Sequence, residues 1–227
     1  MEPNIDRREQ WIELSVFLFL IVPSMALSFF AVRQGSLGFG LVAVATILRD
    51  LALVSLILFF IWRNRESTLD IGWNFRGLGR EILVGVLVFI PTTFAAGGLE
   101  KALLSAGFTS PSTPLPSLEA TGGVVETILG IVLVSVVAFS EETIFRGYIM
   151  LRLEALTSSP GAAVVLSAFV FSLGHGYEGS AGVVTVGFLG FVFALVYLWR
   201  KSLTAPMVMH FLQDFIGIVL YPLLTGK

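Results

Sequence analysis

F-S-E-E-T-I-F-R-G-Y, residues 139–148, is the stretch whose reading decides the fold. It closes an apolar run that begins at Gly123, G-V-V-E-T-I-L-G-I-V-L-V-S-V-V-A-F. Two adjacent carboxylates, Glu141 and Glu142, and the cation Arg146 therefore end a segment otherwise fit for lipid. Charge at membrane depth is costly, so such groups face a protein interior or a wet cavity. The helical pattern of this run continues to about residue 156, which is too long for one crossing. Its end must bend or emerge into the headgroup layer.

The rest of the chain has the same character. Its 227 residues are 56% hydrophobic, include 20 Phe, and are only 13% charged; a soluble domain usually carries about 25% charged residues. The mean hydropathy is +0.89. These values predict an all-α, polytopic membrane helical bundle of about seven segments, forming one integral membrane domain over residues 1–227. Residues 1–121 supply N-terminal helices and a Pro-rich loop, and residues 122–227 carry the chemical motifs. A net charge of -2 shows no basic surface for nucleic acid. Cysteine is absent, which excludes disulfides, thiolate catalysis and Cys-ligated metals. The first apolar run follows a charged start, with no small-residue cleavage pattern after it. The expectation is a retained span, not a signal peptide.

Apolar segments are expected at about residues 12–32, 41–62, 81–96 (reaching 104 if the helix is tilted or broken), 123–139, 161–173, 181–199 and 203–220. The segment 161–173 is too short to cross a hydrocarbon core of about 30 Å alone. A short or re-entrant helix ending there would leave His175 inside the bundle. Residues 69–75 are expected as an amphipathic surface segment, and 105–120, with Pro111, Pro114 and Pro116, as a breaker-rich loop. Arg49 and Asp50 sit near the middle of 41–62. Neighbours on a helix do not face each other, so an ion pair between them is not expected, and one or both are expected to find a partner in the bundle.

With seven spans and the N-terminus in the cytoplasm, one side receives Arg7, Arg8, Arg63, Arg65, Arg76, Arg80, Arg152, Arg200 and Lys201. The other receives Arg33, Lys101 and Lys227. That asymmetry is the positive-inside pattern.

Three polar groupings lie in separate apolar segments: Glu141, Glu142 and Arg146; Phe171 and His175; His210 and Asp214. Glu142 and Arg146 share a helical face at i,i+4, while Glu141 lies about 100° around and is free to face a cavity. His210 and Asp214 have the same i,i+4 spacing. Each pair could be structural alone, but both histidines of the chain and its densest acidic site occur together here. Peptide hydrolysis fits these groups. A glutamate in a poorly hydrated pocket suits a general base, a histidine can hold the water or shuttle its proton, and the oxyanion needs donors, for which His210 is a candidate. The zinc signature H-E-x-x-H is absent. Glu141, His175 and His210 remain open as a zinc set, since two histidines and a carboxylate suffice chemically. Their separate segments and lack of tight ligand spacing favour a site without a cofactor.

E-E-x-x-x-R at Glu141, Glu142 and Arg146, F-x-x-x-H at Phe171 and His175, and H-x-x-x-D at His210 and Asp214 resemble, in order and spacing, the motifs of the CAAX-prenyl-protease type II family, also called CPBP or Abi. The resemblance runs from about Gly123 to the C-terminus. It implies an intramembrane endopeptidase acting on a membrane-associated or lipidated protein or peptide, in a multi-pass protein of a prokaryotic cell membrane with its N-terminus in the cytoplasm. By the same resemblance Glu141 activates the water, His175 assists it, His210 stabilises the oxyanion, Asp214 is its polar partner, and Glu142 and Arg146 orient the site. The family is described both as metalloproteases and as metal-free glutamate proteases; the latter mechanism is expected here. Residue 214 departs from the Asn often found there. An ionised Asp cannot donate to an oxyanion, so Asp214 is expected to orient His210 or support its imidazolium. Two rival readings are a non-catalytic peptide-binding or bacteriocin-immunity protein and a proton-coupled transporter using Arg49, Asp50, Glu126 and the motif charges.

Overall fold

The computed structural model describes residues 5–31, 38–110 and 123–225, and among these the fold is all-α. Seven helices follow in order: α1 (Arg7–Ala31), α2 (Phe39–Arg63), α3 (Leu78–Ser105), α4 (Val124–Thr157), α5 (Pro160–Leu173), α6 (Gly179–Arg200) and α7 (Thr204–Thr225). Helices α2, α3, α4, α7, and α6 with the turn before it, are long and apolar enough to cross a membrane by length and composition. The expected seven segments thus become five long apolar helices, the 25-residue α1 and the short α5. The Pro-rich stretch lies outside the described residues from 111 to 122.

The bundle is apolar outside and polar inside. Leu48, Phe59, Leu87, Phe94, Val125 and Trp199 are exposed, while Asp50, Glu142, Arg146 and Arg152 are buried. This is the arrangement expected of helices that meet lipid outside and keep their charges within. A central apolar cluster joins Phe17 and Ile21 of α1, Ile57 and Phe60 of α2, Phe145 and Tyr148 of α4, and Phe171 of α5.

Local chemistry sets several helix ends. Asp6 caps α1: Glu9 N–H donates to Asp6 Oδ1 (2.8 Å) and Asp6 N–H to Glu9 Oε2 (3.3 Å), a reciprocal capping box. The helix therefore starts in the charged residues, before the expected apolar boundary at 12. Ser159 caps α5 by accepting Ala162 N–H (3.2 Å), with Pro160 at the first helical position. Helix α3 is continuous through Pro91 and Gly97-Gly98 to Ser105, which extends the boundary expected at 96; prolines inside membrane helices are tolerated where neighbours satisfy the backbone.

The amphipathic segment expected at 69–75 lies at the surface with Leu69 and Phe75 exposed. It is a run of turns that puts Ile71 in the core and sends Trp73 Nε1–H to Thr143 Oγ1 (3.1 Å). Leu203 N–H donates to Gly72 O (3.0 Å), and a Cβ on Gly147 would stand 2.7 Å from Ile71 O. Only a glycine at 147 lets this loop press against α4.

Helix α4 has 34 residues and would span about 51 Å, which meets the expectation that it outruns one crossing. Thr143–Ile149 is wound as a π-helix inside it. Such wide turns occur often at functional sites. Helix α5, with 14 residues, reaches only about 21 Å. It ends at Gly174, and a tight 3₁₀ turn, Gly176–Glu178, leads into α6.

Candidate active site

Asp50 on α2, Glu142 on α4 and the end of α5 each lie about 20–22 Å along their helices from the end where Arg63, Thr157 and Pro160 sit. The fold thereby gathers charged groups from different helices into one layer.

Glu142 is the fixed point of that layer. Its side chain is fully buried, and Oε1 accepts Arg146 Nη1–H (2.9 Å) across the i,i+4 spacing. The same oxygen lies 2.8 Å from His210 Nδ1. An oxygen already accepting from a guanidinium is an acceptor for His210 too, so Nδ1 carries the hydrogen. His210 is thus held with Nε2 turned toward Glu141 Oε2 (3.8 Å) and Asp214 Oδ2 (3.4 Å). Glu141 and Asp214 are the more open carboxylates, 17% and 23% exposed, against none for Glu142.

Arg146 is completely buried and is held on several sides. Nη2–H donates to Gly190 O (3.2 Å), and the guanidinium carbon lies 4.2 Å from the Phe171 ring centre and 5.4 Å from that of Phe193. These contacts offset the loss of water around the charge. A Cβ at Gly190 would meet Phe171 Cδ1 at 2.8 Å and Arg146 Nη2 at 3.0 Å. No motif in the sequence pointed to Gly190.

Phe171 is the hub that connects the groupings. Its ring meets His210 edge-on (5.9 Å between centres), His175 (5.0 Å) and Phe145 (5.0 Å). His175 sits just beyond the end of α5, half-buried, with Nδ1 3.2 Å from Phe171 O. A carbonyl accepts, so Nδ1 carries its hydrogen and Nε2 is left open. His175 also interacts electrostatically with Glu178, Asp214 and His210. The stop of α5 inside the bundle therefore brings His175 to the layer, as the length of 161–173 implied.

The structure brings together all six of Glu141, Glu142, Arg146, His175, His210 and Asp214, and adds one contact that the spacing did not indicate. Glu142 takes His210 Nδ1, while Asp214 pairs with the same ring at Nε2, 3.4 Å away. Arg49 and Asp50 correct an expectation. They form an ion pair (Nη2 to Oδ1, 2.8 Å) because the long Arg49 side chain folds back over its neighbour. Asp50 is 1% exposed and interacts electrostatically with Glu141 and His210. Tyr177, in the 3₁₀ turn, interacts in the same way with Glu141 and Asp214; no motif in the sequence pointed to it. Among the described residues no group of three or more His, Asp and Glu side chains is arranged to hold a metal ion.

Residues 123–216 match a family model described as Rce1-like, Type II CAAX prenyl endopeptidase Rce1-like. These residues are an Rce1-like domain of the CAAX-protease family. The Rce1-like domain contains Glu141, Glu142, Arg146, His175, His210 and Asp214 and leaves out α1, α2 and α3. Neither the curated proteins nor the solved structures give a significant match to the chain.

Proposed function

We propose that the protein is an intramembrane endopeptidase that hydrolyses a peptide bond of a membrane-associated or lipidated protein or peptide. The observation that carries this reading is the pair of His210 Nε2 and Glu141 Oε2, 3.8 Å apart with His210 fixed from behind by Glu142. A water placed there can hydrogen-bond to both. Buried at this depth it would meet little competing solvent.

In the reaction, Glu141 takes a proton from this water as the oxygen attacks the carbonyl carbon. The carbonyl becomes a tetrahedral oxyanion, for which the His210 imidazolium Nε2–H is the donor. Glu141 then passes the proton to the departing nitrogen, leaving a carboxylate and an amine. His175 Nε2 is available to hold the water or share its proton. Asp214 favours the charged form of His210 that the oxyanion requires. Arg146 offsets the charge of Glu142 and keeps it in place. No step needs a metal. Chelation with metal readdition tests this: activity should survive chelator, and loss restored by zinc would replace this mechanism with a metal-assisted one.

The orientation is part of the reading. Arg7 donates to Leu156 O, Arg63 pairs with Glu13, Arg152 with Glu66 and Arg200 with Glu81. These contacts gather many of the basic residues at one end of the bundle, which the positive-inside rule assigns to the cytoplasm. Arg33 and Lys227 lie outside the described residues.

The test is turnover by the full chain in vesicles, offered a panel of quenched lipidated peptides. Cleavage that is abolished by Glu141→Gln supports the reading. A folded wild-type protein that cleaves none of them, or a Glu141→Gln variant that keeps wild-type turnover, sinks it and favours a binding or immunity role.

A further inference from the structure

The connection between α2 and α3 touches both of the helices that carry the carboxylates and His210. On the α4 side, Trp73 Nε1–H donates to Thr143 Oγ1 (3.1 Å), and that hydroxyl donates in turn to Phe139 O (2.7 Å). The Trp73 ring also lies against Phe139, with 5.4 Å between centres. Phe139 and Thr143 stand one turn apart and flank Glu141 and Glu142 in the chain, so Trp73 holds the turn that carries both acids from either end. Thr143 is buried and is the first of the π-wound residues. A threonine hydroxyl bonded back to the carbonyl four residues earlier bends a helix, so what fixes this hydroxyl also fixes the winding just after Glu142.

On the α7 side, the neighbours of Trp73 make the contacts. Leu203 N–H, just ahead of α7, donates to Gly72 O (3.0 Å), and Ser202 Oγ–H donates to Asn74 O (2.9 Å). His210 follows about two helical turns after Leu203. Gly72 itself has a φ of +81°, and a Cβ there would stand 2.5 Å from Tyr197 Cε2, so the same loop is seated on α6. Ile71 presses on α4 at Gly147. The contacts that depend on this alignment run from α4 to α7: Glu142 Oε1 to His210 Nδ1 at 2.8 Å, and Glu141 Oε2 to His210 Nε2 at 3.8 Å. A misplacement of about 1 Å in such a site can cost about a hundredfold in rate.

We propose that residues 71–74 form a bracket that sets the spacing of the α4 carboxylates from His210, and that Trp73 is its positioning residue. The bracket lies outside the matched segment 123–216, so the Rce1-like domain takes the alignment of its site from the α2–α3 connection. This inference rests on the endopeptidase reading.

Trp73→Phe keeps a ring against Phe139 and removes only the N–H donor; Thr143→Val removes the acceptor at nearly constant shape. On a quenched peptide with a farnesylated CaaX tail, each should lower kcat about tenfold with KM within about twofold, because the bracket aligns the reacting groups and does not hold the peptide. The double variant should lose no more than either single one, and Thr143→Ser, which keeps the acceptor, should retain most of kcat. An unchanged kcat in the single variants, a rise in KM with kcat kept, or losses that multiply in the double variant overturn the proposal. A second readout needs no turnover. Amide hydrogen exchange of the full chain in vesicles should quicken about fivefold in Trp73→Phe, both in the π-wound turns of α4 and at Leu203, as the loss of one hydrogen bond implies. Exchange at Leu203 that stays at the wild-type rate overturns the bracket whether or not the peptide is cut, whereas a wild type that cuts nothing counts against the endopeptidase reading.

Discussion

The molecule buries charge in two places, and they are finished differently. At the basic end, Glu13 Oε1 accepts from Arg63 (2.6 Å) and Asn64 (2.8 Å), and Oε2 from Tyr148 (3.1 Å), with Arg152 Nη2 3.0 Å away. Arg152 also grips Glu66 with two bonds of 2.7 Å. Every carboxylate oxygen of that network is used, and Arg152 Nε alone among its charged groups is buried without an acceptor. In the mid-bundle layer, Glu141 Oε2, Glu142 Oε2 and Asp50 Oδ2 are buried and accept nothing from the protein. A closed network clamps α1, α2 and α4 together. An open one keeps acceptors for water or substrate, because a polar group in an apolar interior is costly until it is paired.

The sharpest way to break this contrast is to remove one acid from each place. Glu141→Gln should lower turnover by about 10²–10⁴-fold with no loss of thermal stability in detergent. Glu13→Gln should do the reverse, leaving turnover per folded molecule intact. If Glu13→Gln abolishes turnover while the protein stays folded, the two clusters are not separate in function. Next in size, Arg152→Met should destabilise by about 3–5 kcal/mol, because it leaves Glu13 and Glu66 buried without their cation; unfolding in denaturant measures it, and a change under 1 kcal/mol would make the clamp decorative. His175→Ala should abolish cleavage while the protein remains folded and inserted; wild-type rates in the purified variant would remove His175 from the chemistry. The smallest effect is expected at Gly190→Ala. Overpacking against Phe171 and Arg146 should cost about 1–3 kcal/mol and reduce turnover through a displaced Arg146. Full activity and stability there would show that the guanidinium can shift without consequence.

The sequence made one cluster legible and concealed the other. Glu142 and Arg146 share a face by spacing alone, and the short run 161–173 announced that His175 would stop inside the bundle. The basic-end network left no such trace. Glu13, Arg63, Glu66 and Arg152 stand at helix ends, where charge is expected on solubility grounds, and only lateral packing reveals that Glu13 and Arg152 are buried. Packing also decided the two pairings that spacing did not indicate. His210 Nδ1 meets Glu142 because α7 lies against α4, and Arg49 meets Asp50 because a long side chain can reverse along its own helix. Within the turns of 69–75 the sequence left open which apolar residue turns inward, because an apolar residue there reads equally well as facing lipid or core. Ile71 goes inward to fill the space left by the missing side chain of Gly147.

Both clusters draw residues from the single helix α4, and the π-wound turns of Thr143–Ile149 lie between Glu142 and Arg152. Those turns act as a phase adjuster. Rewound at ordinary pitch with every residue kept, the downstream half would rotate by about 100° and advance about 1.5 Å, and Arg152 would leave Glu66. A one-residue deletion within the π-wound turns is thus the length change α4 should tolerate best, because it relaxes the wide winding and preserves where both ends face. The same deletion a turn later would uncouple the two halves of the molecule.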